Sequence, residues 1–210
     1  MENGGLNPIE VQRFAVELGL HESDRLAIAG IAVPDHLAPL DSDAGSWVRR
    51  LVGAYMHLPK AKRREVRRLV SELPQEKRTR PVRTLTAHQY YSTSPAAGAV
   101  LMRMLANRNL GWTQIAKMLL VVTGRYWAAS TYGQVGRGVK QVTPDLLIDF
   151  STLLNIPAAD LAALTGVPLE HAPSPASPAV EGVGGLIWDV RRLTSGQVQH
   201  VHEFAESMRR

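Results

Sequence analysis

The sequence predicts an all-α protein. Apolar residues recur at helical spacing in nearly every periodic segment, and no segment alternates apolar and polar residues as a half-buried strand does. The breaks between segments also carry helix start and stop signals, such as Thr143-Pro144 and Gly136-Arg137-Gly138. A chain of 210 residues, 45% of them hydrophobic, can build one domain or two small ones around a substantial core.

Residues 1–75 read as an amino-terminal helical domain. Its clearest helix, 59–73, turns Val66, Leu69, Val70 and Leu73 inward. The same segment holds the densest positive charge, Lys60, Lys62, Arg63, Arg64, Arg67 and Arg68, which suits either a solvated face or contact with flanking nucleic acid. Residues 76–94 read as a basic linker, and 77–83 as a mobile stretch or an arm for a minor groove.

From 95 to 168 the helical signals are dense. A first helix starts near Pro95, buries Val100, Leu101, Met104 and Leu105, and stops near 109–111. A second begins at Trp112-Thr113, with Thr113 as its cap and Ile115, Met118 and Leu119 inward. Residues 121–127 are either an insertion or an extension of that helix. A third helix spans 128–135, with Tyr132 and Val135 facing the core. Gly133 costs this helix about 1 kcal/mol against alanine, a cost that close approach to another backbone or to nucleic acid (DNA) would explain, tolerated weakness being the alternative. Gly136-Arg137-Gly138 closes it with a left-handed cap. Thr143, Pro144 and Asp145 then open a helix whose Leu146, Leu147, Phe150, Leu153 and Leu154 fill the core. Residues 169–185 are rich in Pro, Ala, Ser and Gly and read as a linker. In the closing segment, 186–210, Thr194 or Ser195 caps a helix with an apolar stripe of Val198, Val201, Phe204, Ala205 and Met208. That stripe must be covered by a second chain or by the amino-terminal half of the same chain; a dimer contact is the favoured expectation.

An internal repeat makes the second option a competitor, since it offers an intramolecular copy of that contact. Residues 6–31 lie on 142–167 without a gap, matching Pro8 to Pro144, Phe14 to Phe150, Leu18 to Leu154, Asp24 to Asp160 and Gly30 to Gly166. After a slip of one, Leu51-Val52 lies on Leu186-Ile187, Leu58 on Leu193, Val66 on Val201 and Leu73 on Met208. Chance similarity among Ala/Leu-rich helices is the competing explanation.

The net charge is only +5, but it is unevenly spread. Between residues 96 and 141 there is no Asp or Glu, only Arg103, Arg108, Lys117, Arg125, Arg137 and Lys140, as a phosphate-facing surface requires. No cysteine is present, so disulfides and thiolate metal sites are excluded. The histidines show no metal-ligand spacing; His200 and His202 point to different sides of one helix. No phosphate loop, nucleophile elbow or convergent reactive set appears, His88-Gln89-Tyr90-Tyr91 included, so neither an enzyme nor a cofactor is expected. Residues 1–20 lack the pattern of a signal peptide and the longest apolar run, 118–122, cannot span a membrane, which reads as cytoplasmic.

Residues 112–161 resemble the helix-turn-helix reader of the phage-repressor (Cro/C1, or XRE) family. The match rests on Thr113-Gln114-Ile115-Ala116, on Ser130-Thr131 through Arg137-Gly138, on Thr143-Pro144, and on the run to Ile156-Pro157 and Leu161. It covers roughly a third of the chain, and the residues after Met118 depart from the family's tight turn. The resemblance implies a five-helix lambda-repressor-like domain whose helix 128–135 enters the major groove of duplex DNA. By position, Ala129, Ser130, Thr131 and Gln134 would read bases. Thr113, Gln114, Arg125, Tyr126, Arg137 and Lys140 would meet phosphates. For Trp127, and for Tyr126 too, packing in the core is the alternative. The implied function is transcriptional regulation by a homodimer on a two-fold operator. The alternative is a helical protein-interaction module that keeps the fold without specific DNA binding.

Overall fold

In the computed structural model, residues 16–78, 96–169 and 177–209 are described. The described residues are all-helical, with ten α-helices, two 3-10 turns and no strand. The helices are α1 (Glu22–Ile28), α2 (Gly45–Met56), α3 (Lys60–Glu72), α4 (Ala97–Ala106), α5 (Trp112–Thr123), α6 (Ala129–Gly136), α7 (Pro144–Leu154), α8 (Ala158–Thr165), α9 (Val183–Val190) and α10 (Ser195–Ser207). Pro95, residues 79–83 of the basic stretch, His88–Tyr91 and the matches at Pro8 and Phe14 lie outside the described residues.

The local signals produce the helix ends. The Thr143 hydroxyl accepts from the Leu146 N–H at 3.3 Å, and Pro144 fills the first helical position of α7. Thr194 and Gln197 form a reciprocal capping box at α10. At the end of α6, Gly138 takes a left-handed φ of 73°, so the Val139 N–H returns to the Gln134 carbonyl and the Gly138 N–H to that of Val135. One local reading is corrected. Gly111, not Thr113, caps α5, because its carbonyl accepts the first helical bond, from the Ile115 N–H at 2.8 Å.

Helices α4 to α8 pack together: α5 and α4 each lie on α6, α4 also meets α7, and α8 folds back on α7. Tyr132, Val135, Leu146, Leu147, Phe150, Leu153 and Leu154 are all buried there. The flanking helices share this core. α1 lies on α4, α2 on α5, and α9 on α7, so one hydrophobic cluster runs from Ala27 to Ala205. Gly184 makes the α9 contact close: a methyl group there would stand 2.5 Å from the Thr152 carbonyl oxygen. The expected linker thus ends inside a helix, where its glycines serve packing.

The contact of α1 with α4 is polar at its centre. Arg108, fully buried, holds Asp24 through two bonds of 2.8 and 2.9 Å and donates to the carbonyls of Met104 and Leu154. Arg103 donates to the Ala27 carbonyl. Neither faces a phosphate, although both belong to the acid-free stretch.

The repeat seen in the sequence recurs in the structure. α1 corresponds to α8, and each is flanked by two left-handed residues at matching positions. These are Gly19 and Gly30 (φ 64° and 70°) in the first copy, and Asn155 and Gly166 (φ 57° and 69°) in the second. α3 corresponds residue for residue to α10, and α2 covers the counterpart of α9. The two helix pairs pack on one another, α10 across α2 and α3, and α9 across the same two. The third residue of α3, Lys62, donates to the Met208 carbonyl at the end of α10. The third residue of α10, Gln197, donates to the Pro74 carbonyl beyond the end of α3. Such reciprocity is what a two-fold dimer interface displays, here within one chain.

Three expectations are corrected by this packing. The α10 stripe does not await a second copy. Val198, Val201 and Ala205 are buried and Phe204 and Met208 half-buried, all against the chain's own core. The basic face of α3 is largely committed rather than free for DNA. Arg63 donates to the carbonyls of Met56, Leu58 and Pro178, Arg67 pairs with Asp189 at 2.6 Å, and Lys60 with Glu181. In the basic stretch after it, Arg78 is neither arm nor free linker: it pins the Pro39 and Leu40 carbonyls at 2.8 and 2.9 Å.

Candidate nucleic-acid interface

The residues assigned to DNA sit on α5, α6 and the loops beside them. α5 extends to Thr123 and closes on Gly124, so residues 121–123 continue the helix and 124–128 form the connection to α6. α6 lies in the angle of α4 and α5, and two glycines bring it close. A methyl group at Gly98 of α4 would fall on the Val135 carbonyl, 2.9 Å from its carbon. A methyl group at Gly133 of α6 would stand 2.8 Å from the Trp112 ring. The cost of Gly133 is therefore explained by an indole of this chain, not by a backbone or by DNA.

With Tyr132 and Val135 buried, α6 turns Ser130, Gln134 and Arg137 to solvent along one stripe, with Thr131 half-buried beside them. The Arg137 guanidinium lies 6.0 Å from the Trp112 ring centre, and the Lys140 ammonium lies 4.4 Å above the Trp127 ring. Both cations are exposed, and the aromatic faces beneath them limit their wandering. Thr113 is exposed and Gln114 half-buried in the first turn of α5, at the positive end of its dipole. Lys117, one turn on, is also exposed.

Two assigned residues leave this set. Ala129 is half-buried, and its methyl group, which has no polar atom to offer a base, packs against the core. Arg125 spans to α7, 3.1 Å from Asp145 in its first turn and 3.8 Å from Asp149 one turn on. Two carboxylates beside it repel a phosphate, so Arg125 is tied to the fold. Tyr126 is 65% exposed and stays available, whereas Trp127 is half-buried against the core. The residues that sequence reasoning missed are Arg49 and Arg50 of α2, which line a groove with Thr113, Gln114 and Lys117. An Arg-Arg pair after an acidic turn was their only signal.

Asp149 gives this corner a pH dependence. Burial, above all, pushes its carboxyl up to about 6; Asp145 adds to the rise and Arg125 opposes it. The folded state then holds a proton that the unfolded chain has released, so stability falls as pH rises from about 4 to 6. Asp149→Asn is expected to remove that fall and to raise the melting temperature at pH 7. Melting curves at pH 4, 5, 6 and 7 check it; an unchanged slope overturns it.

No family model, no curated protein and no solved structure matches the chain. No single helix among the described residues is long and apolar enough to cross a membrane. No cluster of His, Asp or Glu there could hold a metal ion.

Proposed function

We propose that α4 to α8 form a five-helix reader of the phage-repressor type and that the chain binds duplex DNA sequence-specifically to regulate transcription. The observation that carries this reading is the solvent face of α6. Ser130, Gln134 and Arg137 project from a short helix backed by buried residues, with exposed Lys117 and Lys140 on neighbouring segments. The whole stretch 96–141 contains no carboxylate. Ser130 and Thr131 hydroxyls can pair with several bases, and the Gln134 amide can bond adenine twice. Arg137, Lys140, the α5 amino terminus and Tyr126 supply phosphate contacts. A homodimer on a two-fold operator would have to use a surface other than the covered α10 stripe.

Fluorescence anisotropy with DNA selected from a random pool tests the proposal. Arg137→Ala and Lys140→Ala should weaken binding to all sequences alike, each lowering the salt slope by about 1. Gln134→Ala should cost about 1–3 kcal/mol at the preferred site and relax one base position. A second reading, a protein-interaction module, is favoured by exposed Leu120, Tyr126 and Val139 (46%, 65% and 73%) beside the same face. Absence of any salt-dependent duplex binding supports that module and overturns the reader.

A further inference from the structure

We infer that the groove between α2 and α5 holds a backbone phosphate of the duplex, making the flanking helix α2 part of the DNA interface. This rests on the reading of α6 as a DNA reader. The groove has a volume of about 260 Å³ and is lined by Ser46, Arg49 and Arg50 of α2 and by Thr113, Gln114 and Lys117 of α5. Its construction is one-signed. Arg49, Arg50 and Lys117 make no ion pair among the described residues, and no carboxylate lines the groove. Of the two acids that immediately precede α2, Asp41 is taken up by the N–H groups of Asp43 and Ser195, and Asp43 lies in the 3-10 turn before Gly45, outside the groove lining.

Two helix amino termini also meet here. Gly45 starts α2 against the turn between α4 and α5, where a methyl group would stand 2.5 Å from the Asn109 carbonyl oxygen. That contact locks the first turn of α2, which continues the 3-10 turn Ser42–Ala44, beside the first turn of α5, so the positive end of α5 and three cations surround one concavity. Trp47 carries the Arg50 guanidinium 4.5 Å from its ring centre, which orders the rim without neutralising it. Gathering like charges costs free energy unless an anion joins them, and a phosphodiester supplies one negative charge with two acceptor oxygens.

The groove is continuous with the reading face. Trp112, the first residue of α5, packs on Gly133 of α6 and lies under Arg137. The next residues, Thr113, Gln114 and Lys117, are the α5 wall of the groove. A strand whose bases meet Gln134 thus finds positive charge from Arg137 through Lys117 to Arg49 and Arg50.

The test is a salt titration of the full chain on a selected duplex of about 30 base pairs. The variants are K117A, R49A/R50A and, as reference, R137A. Lys117 is exposed and unpaired among the described residues, so K117A should keep its melting temperature. The expected result is a slope lowered by up to about 0.9 in K117A and in R49A/R50A alike, because one phosphate is contacted, with base preference unchanged. An unchanged slope in both, with R137A still lowering it, overturns the α2 contact while leaving the reader intact. Failure of the native chain to bind any duplex overturns both. Thermal stabilisation by inorganic phosphate that K117A abolishes, with the duplex slope unchanged, assigns the groove to a free phosphate ligand and overturns the DNA contact.

Discussion

Asp24→Ala is expected to cost about 3–5 kcal/mol, much of the stability of a typical domain. Arg108 is fully buried, and among the described residues Asp24 supplies the only carboxylate that bonds it. Its other bonds go to the carbonyls of Met104 and Leu154, which orient the guanidinium but carry no net charge. Removing Asp24 strands a cation in an apolar interior. Removing both charges should cost less, because an ion pair barely repays its own desolvation. Asp24→Leu combined with Arg108→Met should therefore melt higher than Asp24→Ala alone, whose melting temperature should fall by roughly 10 °C. A fall of only a degree or two in Asp24→Ala would show that the pair does not join α1 to α4 as described.

This pair also marks the boundary of what could be read in the sequence. Signals confined to a few residues were legible: Thr143 and Pro144 open α7, Thr194 caps α10, Gly138 closes α6, and Tyr132 and Val135 face inward. Each depends on backbone geometry within one or two turns. The failures involve partners distant in sequence. Arg108 looks like one of a run of solvent-facing cations until Asp24, on α1, is placed beside it. Arg63 and Arg67 look like a solvated or DNA-facing surface until the second helix pair covers them. Thr113 looks like a cap because caps favour threonine, yet the Gly111 carbonyl accepts the first helical bond. The candidate site was legible where helical register alone decides exposure, at Ser130 and Gln134. It was not legible at Ala129, Arg125 or Arg49, where neighbouring helices decide.

The repeat gives these misreadings a common cause. Helix pairs α2–α3 and α9–α10 bury the faces that a lone copy would offer to a second chain. Their reciprocal bonds, Lys62 to Met208 and Gln197 to Pro74, replace an intermolecular contact by an intramolecular one. An amphipathic stripe specifies that it will be covered and leaves the identity of the cover to the rest of the chain.

Gly98→Ala should be as damaging as a single methyl group can be, because what it meets is backbone. The new methyl group would fall on the Val135 carbonyl, 2.9 Å from its carbon, and a carbonyl on a helix cannot rotate aside as a side chain can. α4 and α6 must separate, which costs about 1–3 kcal/mol or more and loosens the contacts of buried Val135 and Tyr132. Gly133→Ala meets the Trp112 ring at 2.8 Å, a planar group with some freedom to tilt, so its cost should be smaller. Gly53→Ala supplies the contrast. It lies within α2 with nothing within 4 Å of the new methyl group, and should stabilise by roughly 0.5–1 kcal/mol through helix propensity. Thermal melts of the three variants should therefore order as Gly53→Ala above the native chain, then Gly133→Ala, then Gly98→Ala. Because α6 carries the proposed reading stripe, Gly98→Ala should also lose base preference before it loses salt-dependent affinity: phosphate contacts tolerate a shifted helix better than paired hydrogen bonds to a base edge do. A Gly98→Ala variant that melts with the native chain would mean that α4 and α6 do not approach as closely as the structure has them.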